Sequence, residues 1–302
     1  MKYRVTHLTE YEYDSKVSYC YNRAHLLPRE TPHQSSNNSR IIIYPTPLTG
    51  NRRIDYFGNR SYHFAIQEPH DSLSIEVTTD ISIKQPRKDI SQELDYGYTC
   101  AQVRDQLLSP QANIETLYAR EFLLNSPMIK PSPALRDYAG DCFLDNEPFL
   151  PAVMAFSSKI YKEFDFDPSV TTVATPVEEV LLHKHGVCQD FAHVAIGCLR
   201  SLGYAARYIS GYLETLPPPG QQKLVGADAS HAWFSVYSPG EGWFEFDPTN
   251  GTTPMYQHIV TAWGRDYSDV TPLRGIIFGG GRGQSLNVSV DVNRFDNNHR
   301  AG

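Results

Sequence analysis

The hydrophobic pattern of this chain changes its period near residues 85–110, and this change limits the folds that the chain can adopt. Before that segment, YRVTHLTEYEYD, RIIIYPTPL and LSIEVTTDISIK alternate or carry short apolar runs, as β-strands do. RIDYFGNRSYHFAI predicts two strands joined by a Gly-Asn turn, and HQSSNNSR predicts a loop. Short strands at this spacing favour a β-sandwich or a similar all-β module. Residues 1–95 are therefore predicted to form a structural, β-rich N-terminal module.

Helical spacing begins near residue 111, in NIETLYAREFLL and LPAVMAFSSKIYKEF. The segment TPVE predicts a helix start with Thr175 as its cap, and this helix is expected to end near Gly186. A second, amphipathic helix is predicted from Cys188 to Gly203. Strands follow in ARYISGYLE, HAWFSVY, WFEFDP and SLNVSVDV. This order predicts an α+β protein in which residues 96–302 form the second domain.

Composition and charge exclude several classes of protein. Apolar residues make up 40% of the chain and charged residues 20%, so the chain can bury a core. The net charge is −7 with both signs interspersed, which argues against a nucleic-acid-binding surface or a membrane anchor. The first residues carry no signal-peptide pattern, and a cytoplasmic protein is expected. The five cysteines are irregularly spaced without a CxxC pair, so we expect free thiols and neither disulfides nor a zinc ribbon.

Cys188 is the cysteine whose position suggests chemistry. It follows Gly186 and opens the second predicted helix, where unpaired backbone N–H groups and the helix dipole stabilise a thiolate. The alternative interpretation is a small buried residue, as free cysteines often are. Cys198, in the middle of the same helix on its apolar face, is predicted to be such a core residue.

A nucleophilic cysteine needs a base, and the base needs an orienting group. His231 begins a strand and Asp247 ends the next one. The connection SPGEG predicts a hairpin, which would place both residues near the same end of an antiparallel pair. Each residue alone has a structural interpretation, as a satisfied histidine or as a strand end. A helix-start cysteine, a strand-start histidine and a following aspartate in this order point to a cysteine-nucleophile triad.

Three segments carry a resemblance to a known family. GVCQDFA around Cys188, SHAW around His231 and WFEFDPT around Asp247 resemble the core motifs of the bacterial transglutaminase-like superfamily. MKYRVTHLTEYEY, the DYFGN turn and the segment from Gly264 to Gly275 resemble regions that accompany such cores. The resemblance implies a papain-like core with Cys188, His231 and Asp247 as its triad. It also implies a cysteine protease, amidase or transamidase.

The oxyanion-binding groups depart from related enzymes. Papain-like proteases offer a Gln upstream of the cysteine and cross-linking transglutaminases offer a Trp, whereas LLHKHGV has neither and all three Trp residues follow Cys188. Only the backbone N–H of Cys188 is assigned to the oxyanion hole. The second donor is left open.

Several other residues are candidates for binding or structural roles. Tyr212, Trp233 and Arg265 are the candidate substrate-binding residues, with core packing as the alternative for Tyr212. Asp190 is expected to serve helix-end electrostatics and to face away from Cys188. No metal site is predicted, because the histidines at 183, 185 and 193 lack a known metal-binding spacing. The Pro-rich segment from Thr215 to Ser230 has the length of a functional loop.

The function expected from the sequence is hydrolysis of an amide bond through a thioester, without a cofactor. The substrate would be a peptide or a small amide, and a protein partner is not predicted. The alternatives are a transamidase and a non-catalytic peptide-binding module.

Overall fold

A computed structural model describes residues 1–84, 97–215 and 229–295, and these residues form two main sheets and a set of helices. The strands are β1 (Lys2–Ala24), β2 (Gln34–Tyr44), β3 (Thr49–Ile54), β4 (Arg60–Ile66), β5 (His70–Ile83), β6 (Asp165–Phe166), β7 (His185–Gly186), β8 (Ala206–Leu213), β9 (Ala229–Ser238), β10 (Gly242–Phe246), β11 (His258–Gly264), β12 (Leu273–Gly279) and β13 (Gln284–Arg294). The α-helices are α1 (Cys100–Leu108), α2 (Ile114–Ala119), α3 (Pro133–Gly140), α4 (Phe149–Glu163), α5 (Val177–His183), α6 (Cys188–Ser201) and α7 (Tyr267–Val270).

The long strand β1 organises the first sheet. Its first half pairs with β5 on one side and with β13 on the other, while its last residues pair with β4 and β12. The register with β5 shifts between Glu12 and Val17, where β1 exchanges one pair of neighbours for the other. Side chains from both halves share one core, which includes Val17, Phe64 and Ile75. The predicted β-rich N-terminal region is confirmed, and its strands join β12 and β13 in one seven-stranded sheet because β1 pairs with both sets of neighbours.

The last two strands of the chain belong to the first sheet, which the sequence did not predict. β12 and β13 belong to the predicted 96–302 part, yet both pair with β1 in the first sheet. Residues 85–96, where the predicted boundary falls, lie outside the described residues. The division at residues 95 and 96 stays a prediction, but residues 273–294 are structurally part of the first sheet.

The second sheet carries the core of the second part. Its strands run in the order β10-β9-β8-β11, and all its pairings are antiparallel. The buried face of α6 packs against β8 and β9 and contributes Phe191, Ala195 and Leu199 to the largest core cluster. Since apolar residues on α6 recur at helical spacing, burial of this face fixes the helix across the sheet. The mixed architecture confirms the predicted α+β class.

Two side-chain amides join the first sheet to the second. β11 is the edge strand of the second sheet, and an edge exposes unpaired backbone groups. Gln34 accepts from the Val260 N–H at 2.9 Å and donates to the Val260 carbonyl at 2.8 Å. Asn59, at the end of the predicted DYFGN turn, binds Trp263 in the same two-sided way at 2.9 and 2.8 Å. These amides complete the edge and hold the two sheets together.

Two local predictions need correction. The helix after residue 175 begins at Val177 with Pro176 as its cap residue, because the Thr175 hydroxyl instead accepts from the Thr172 N–H. The predicted loop HQSSNNSR is mostly strand, since β2 begins at Gln34 and pairs with β5. The sequence predicted a loop because the alternation of apolar and polar residues is interrupted there. The interruption corresponds to a register shift between Asn37 and Arg40, with Asn38 at φ 51°.

Candidate active site

Cys188 is the first residue of α6, as the sequence predicted, and its side chain is half-buried. Asp190 fixes the start of this helix by accepting from the Val187 N–H at 2.9 Å and from the Thr171 hydroxyl at 2.7 Å. A Cβ on Gly186 would lie 2.6 Å from the Asp190 carboxylate, so only glycine leaves room for this arrangement. Burial is the main influence on Asp190 and raises its pKa. The carboxylate therefore serves the helix start, and its hydrogen bonds go to Val187 and Thr171 rather than to Cys188.

The predicted hairpin brings His231 and Asp247 together. β9 and β10 pair from Ser238 opposite Gly242 to Phe234 opposite Phe246, with the SPGEG connection between them. His231 Nε2 lies 2.7 Å from Asp247 Oδ2. Since Nε2 is engaged with Asp247, Nδ1 is the ring nitrogen left for the Cys188 thiol. The structure thus gathers all three predicted triad residues into one site.

The electrostatics of the site favour a charged histidine. Burial opposes protonation of His231, but its hydrogen bond to Asp247 and its contact with Cys188 outweigh burial and raise its pKa to about 10. Burial also opposes the charge of Asp247, and the hydrogen bonds from His231 and His258 overcome it and hold the pKa of Asp247 well below its usual range. At neutral pH the site therefore contains an imidazolium beside an aspartate, next to the thiol.

His258 is a site residue that the sequence did not reveal. It lies at the start of β11, and its Nε2 is 2.9 Å from the same Asp247 oxygen that His231 contacts. In the described ranges, His231, Asp247 and His258 are the one group whose ligand atoms lie close enough together to hold a metal ion, within 4.8 Å of one another. Both rings instead hydrogen-bond directly to Asp247. The absence of a metal stays a prediction.

A cavity of about 330 Å³ opens beside the thiol, in the size range of small-ligand sites. Cys188, His231 and Tyr208 line it on the side of the second sheet. The opposite wall comes from the first sheet, in which β1 and β13 pair Thr9 with Val288 and Tyr11 with Leu286. The N-terminal region thus shapes the space in front of Cys188.

The three predicted substrate-binding residues lie outside this cavity. Tyr212 is buried in a core cluster between the two sheets. Trp233 is fully buried and donates to the Glu245 carboxylate at 2.7 Å. Arg265 pairs with Asp269 at 3.0 Å. A role of these three residues in substrate binding stays a prediction. Most of the predicted functional loop, residues 216–228, lies outside the described residues.

Comparison with known proteins identifies the family. The profile of the bacterial transglutaminase-like N-terminal region matches residues 3–82, and that of the transglutaminase-like superfamily matches residues 136–248. An uncharacterized protein of Mycobacterium tuberculosis is 39% identical over 300 residues, which cover 98% of this chain and 93% of the relative. The chain belongs to the transglutaminase-like superfamily. The resemblance seen in the three core motifs is confirmed.

Two other proteins are similar to this chain, one in structure and one in sequence. A solved structure from Cytophaga hutchinsonii, provisionally assigned as a cysteine protease, aligns with a TM-score of 0.75 at 23% identity, over 98% of this chain and 92% of that chain. This confirms the fold. A protein-glutamine gamma-glutamyltransferase of Pseudomonas aeruginosa is 30% identical over 108 residues, which are 33% of this chain and 16% of that enzyme. Among the described residues, every helix is too short or too polar to cross a bilayer.

Proposed function

We propose that this protein is a thiol-dependent amide hydrolase, a cysteine protease or amidase, that uses Cys188, His231 and Asp247. The observation that carries the proposal is the position of His231 between a thiol and a buried carboxylate, at the wall of a cavity. The raised pKa of His231, about 10, supports an imidazolium that pairs with a thiolate at neutral pH. The substrate class is a peptide or a small amide, whose acyl group a cavity of about 330 Å³ can admit.

The proposed reaction proceeds in two halves. The Cys188 thiolate attacks the amide carbonyl carbon, and the carbonyl electron pair moves to oxygen. His231 gives its proton to the leaving amine as the C–N bond breaks, which leaves a thioester on Cys188. His231 then takes a proton from water, whose oxygen attacks the thioester and releases a carboxylic acid. Asp247 keeps the ring of His231 oriented in both halves and stabilises the imidazolium whenever the ring carries its proton.

A transamidase is the second candidate, in which an amine takes the place of water in the second half-reaction. The similarity to a protein-glutamine gamma-glutamyltransferase over 108 residues favours it. A non-catalytic peptide-binding module is the third, and the exposure of Cys188 to a cavity argues against it. Hydrolysis is the favoured reaction because water is always available, whereas transamidation requires the site to select an amine over water.

The decisive experiment compares thiol reactivities within one protein. Alkylation by iodoacetamide is followed against pH by peptide mass spectrometry, with half-buried Cys142 as the matched control and the three buried thiols as further controls. We expect Cys188 to react fastest and to stay reactive below the ordinary thiol pKa of about 8.5. If Cys188 reacts no faster than Cys142 at pH 6, the nucleophile assignment is wrong.

A product analysis then separates the two enzymatic candidates. The protein is incubated with a glutamine-containing peptide library, with and without a fluorescent primary amine. Hydrolysis adds water across the amide bond, whereas transamidation attaches the fluorophore. A Cys188→Ala variant is the control for both, because any activity that it retains does not come from the proposed site.

A further inference from the structure

The proposed reaction needs a second hydrogen-bond donor for the oxyanion, and neither an upstream Gln nor an upstream Trp supplies one. The Cys188 N–H lies in the first turn of α6, where N–H groups have no acceptor within the helix. Loss of one oxyanion donor typically costs about 10²–10³ in turnover, so one donor leaves much of the stabilisation unaccounted for. A second donor is therefore expected among the groups that line the cavity.

Tyr208 on β8 shares the cavity with Cys188. It is only 2% exposed, and its ring is held by His193 at 5.1 Å and by Tyr267 at 6.3 Å between ring centroids. His193 is itself fixed, because it accepts from the Tyr267 N–H at 3.2 Å. A ring held by packing in this way presents its hydroxyl in one place, which is what a preorganised donor requires.

The Tyr208 hydroxyl has no hydrogen-bond partner in the described parts of the chain, although the residue is almost fully buried. Unlike the hydroxyl of Tyr212, which is sealed without a partner, the Tyr208 hydroxyl keeps some exposure, and Tyr208 lines the cavity. Burial, followed by the nearby charge of Cys188, raises its pKa well above the usual value, and the hydroxyl keeps its proton. Tyr267 lines the same cavity, but its pKa is raised by burial and then by Tyr11 on the opposite wall, with no contribution from Cys188.

We propose that the Tyr208 hydroxyl is the second oxyanion donor, beside the backbone N–H of Cys188. The inference rests on the proposed function. When the thiolate forms the C–S bond, the carbonyl electron pair moves to oxygen, and this oxygen accepts hydrogen bonds from both donors. When the C–N bond breaks, the pair returns to re-form the carbonyl and His231 supplies the proton to the amine. Tyr208 keeps its proton throughout.

The test compares two reactions of the same thiol in wild-type protein and in Tyr208→Phe, which keeps the ring contacts and removes only the oxygen. Acylation by p-nitrophenyl acetate passes through an oxyanion, whereas alkylation by iodoacetamide displaces iodide at a tetrahedral carbon and forms none. We expect Tyr208→Phe to lower the rate of Cys188 acylation by about 10²–10³. Its rate of alkylation should equal that of the wild type.

Tyr237→Phe is the matched control, since it removes the same atom from a buried tyrosine on the neighbouring strand β9, outside the cavity, and should leave both rates unchanged. The inference is overturned if Tyr208→Phe acylates at the wild-type rate, or if acylation and alkylation fall together, because the substitution then disturbs the thiol itself. Failure of the proposed function has a different signature. In that case wild-type protein and Cys188→Ala release nitrophenolate equally, and both proposals fall.

Discussion

Asp247→Asn is the substitution that most directly probes the charge of the site. Asp247 is fully buried, and its two oxygens accept five hydrogen bonds. Three of them converge on Oδ2, from His231 at 2.7 Å, from His258 at 2.9 Å and from the Asn250 side chain at 2.7 Å. Asparagine removes the negative charge and offers one acceptor oxygen in place of two, so these donors cannot all be satisfied.

The magnitude follows from His231. Its pKa of about 10, against an ordinary 6.5, corresponds to about 5 kcal/mol in favour of the imidazolium at 1.36 kcal/mol per pH unit. Without the carboxylate, burial dominates and the ring is neutral at pH 7. The thiol then has no cation beside it to stabilise a thiolate. We expect the alkylation rate of Cys188 at pH 7 to fall by at least about tenfold.

The same pKa predicts a dependence of stability on pH. Because the folded pKa of His231 lies above the unfolded value of 6.5, its contribution to the free energy of unfolding is complete below pH 6.5 and is lost as the pH rises toward 10. In Asp247→Asn this alkaline loss should be smaller. Urea unfolding at pH 6 and at pH 9.5 measures it.

The assay is iodoacetamide labelling between pH 5 and pH 9, read by peptide mass spectrometry, with Cys142 as the internal control. A folded Asp247→Asn variant that labels at the wild-type rate at pH 7 would refute the reasoning. If the variant does not fold, His231→Gln tests the same argument, because it removes the cation and leaves Asp247 in place. Retention of the wild-type labelling rate in that variant refutes it equally.

Three further predictions concern the frame of the site. Gly186→Ala should displace Asp190 from the start of α6, lower the melting temperature and slow the alkylation of Cys188; an unchanged rate contradicts this. Burial lowers the pKa of His7 to about 4, below the unfolded value of 6.5, so the free energy of unfolding should fall by up to about 3 kcal/mol as the pH drops from 6.5 to 4. His7→Gln should make this dependence on pH weaker in urea unfolding. An equal dependence in the variant and the wild type would show that His7 is not its cause. Asn59→Ala removes both hydrogen bonds to Trp263 and should cost about 2–4 kcal/mol of unfolding free energy, a value that an unshifted urea midpoint would exclude.

The sequence was sufficient to predict that Cys188, His231 and Asp247 lie close together, because each lies at an element boundary with a local signal. A glycine before an amphipathic helix marks Cys188, and a hairpin connection of defined length fixes the offset between His231 and Asp247. His258 has no such signal. It reaches Asp247 because a bridge between Asp247 and Thr252 turns the chain back before β11, and this turn is a tertiary feature.

The position of Tyr212 outside the cavity has a simple geometric cause. Tyr208 and Tyr212 lie four residues apart on β8 and point to one face, so alternation alone cannot distinguish them. Four residues of strand span about 13 Å, however, and the cavity reaches Tyr208 but not Tyr212. The pairing of β13 with β1 was equally hidden, since a pattern within one strand does not specify a partner that lies far along the chain.

That pairing has a consequence for how the protein is made. Tyr11 on β1 and Leu286 on β13 are paired neighbours in one wall of the cavity, and about 275 residues separate them in the sequence. During synthesis on a ribosome, β1 emerges early, and it cannot pair with β13 until nearly the whole chain has been made. A nascent chain can already contain Cys188, His231 and Asp247 while the space in front of the thiol is still open on one side. The cavity wall that would select a substrate is thus completed late in synthesis. A chain that ends before β13 would contain the proposed triad without this wall.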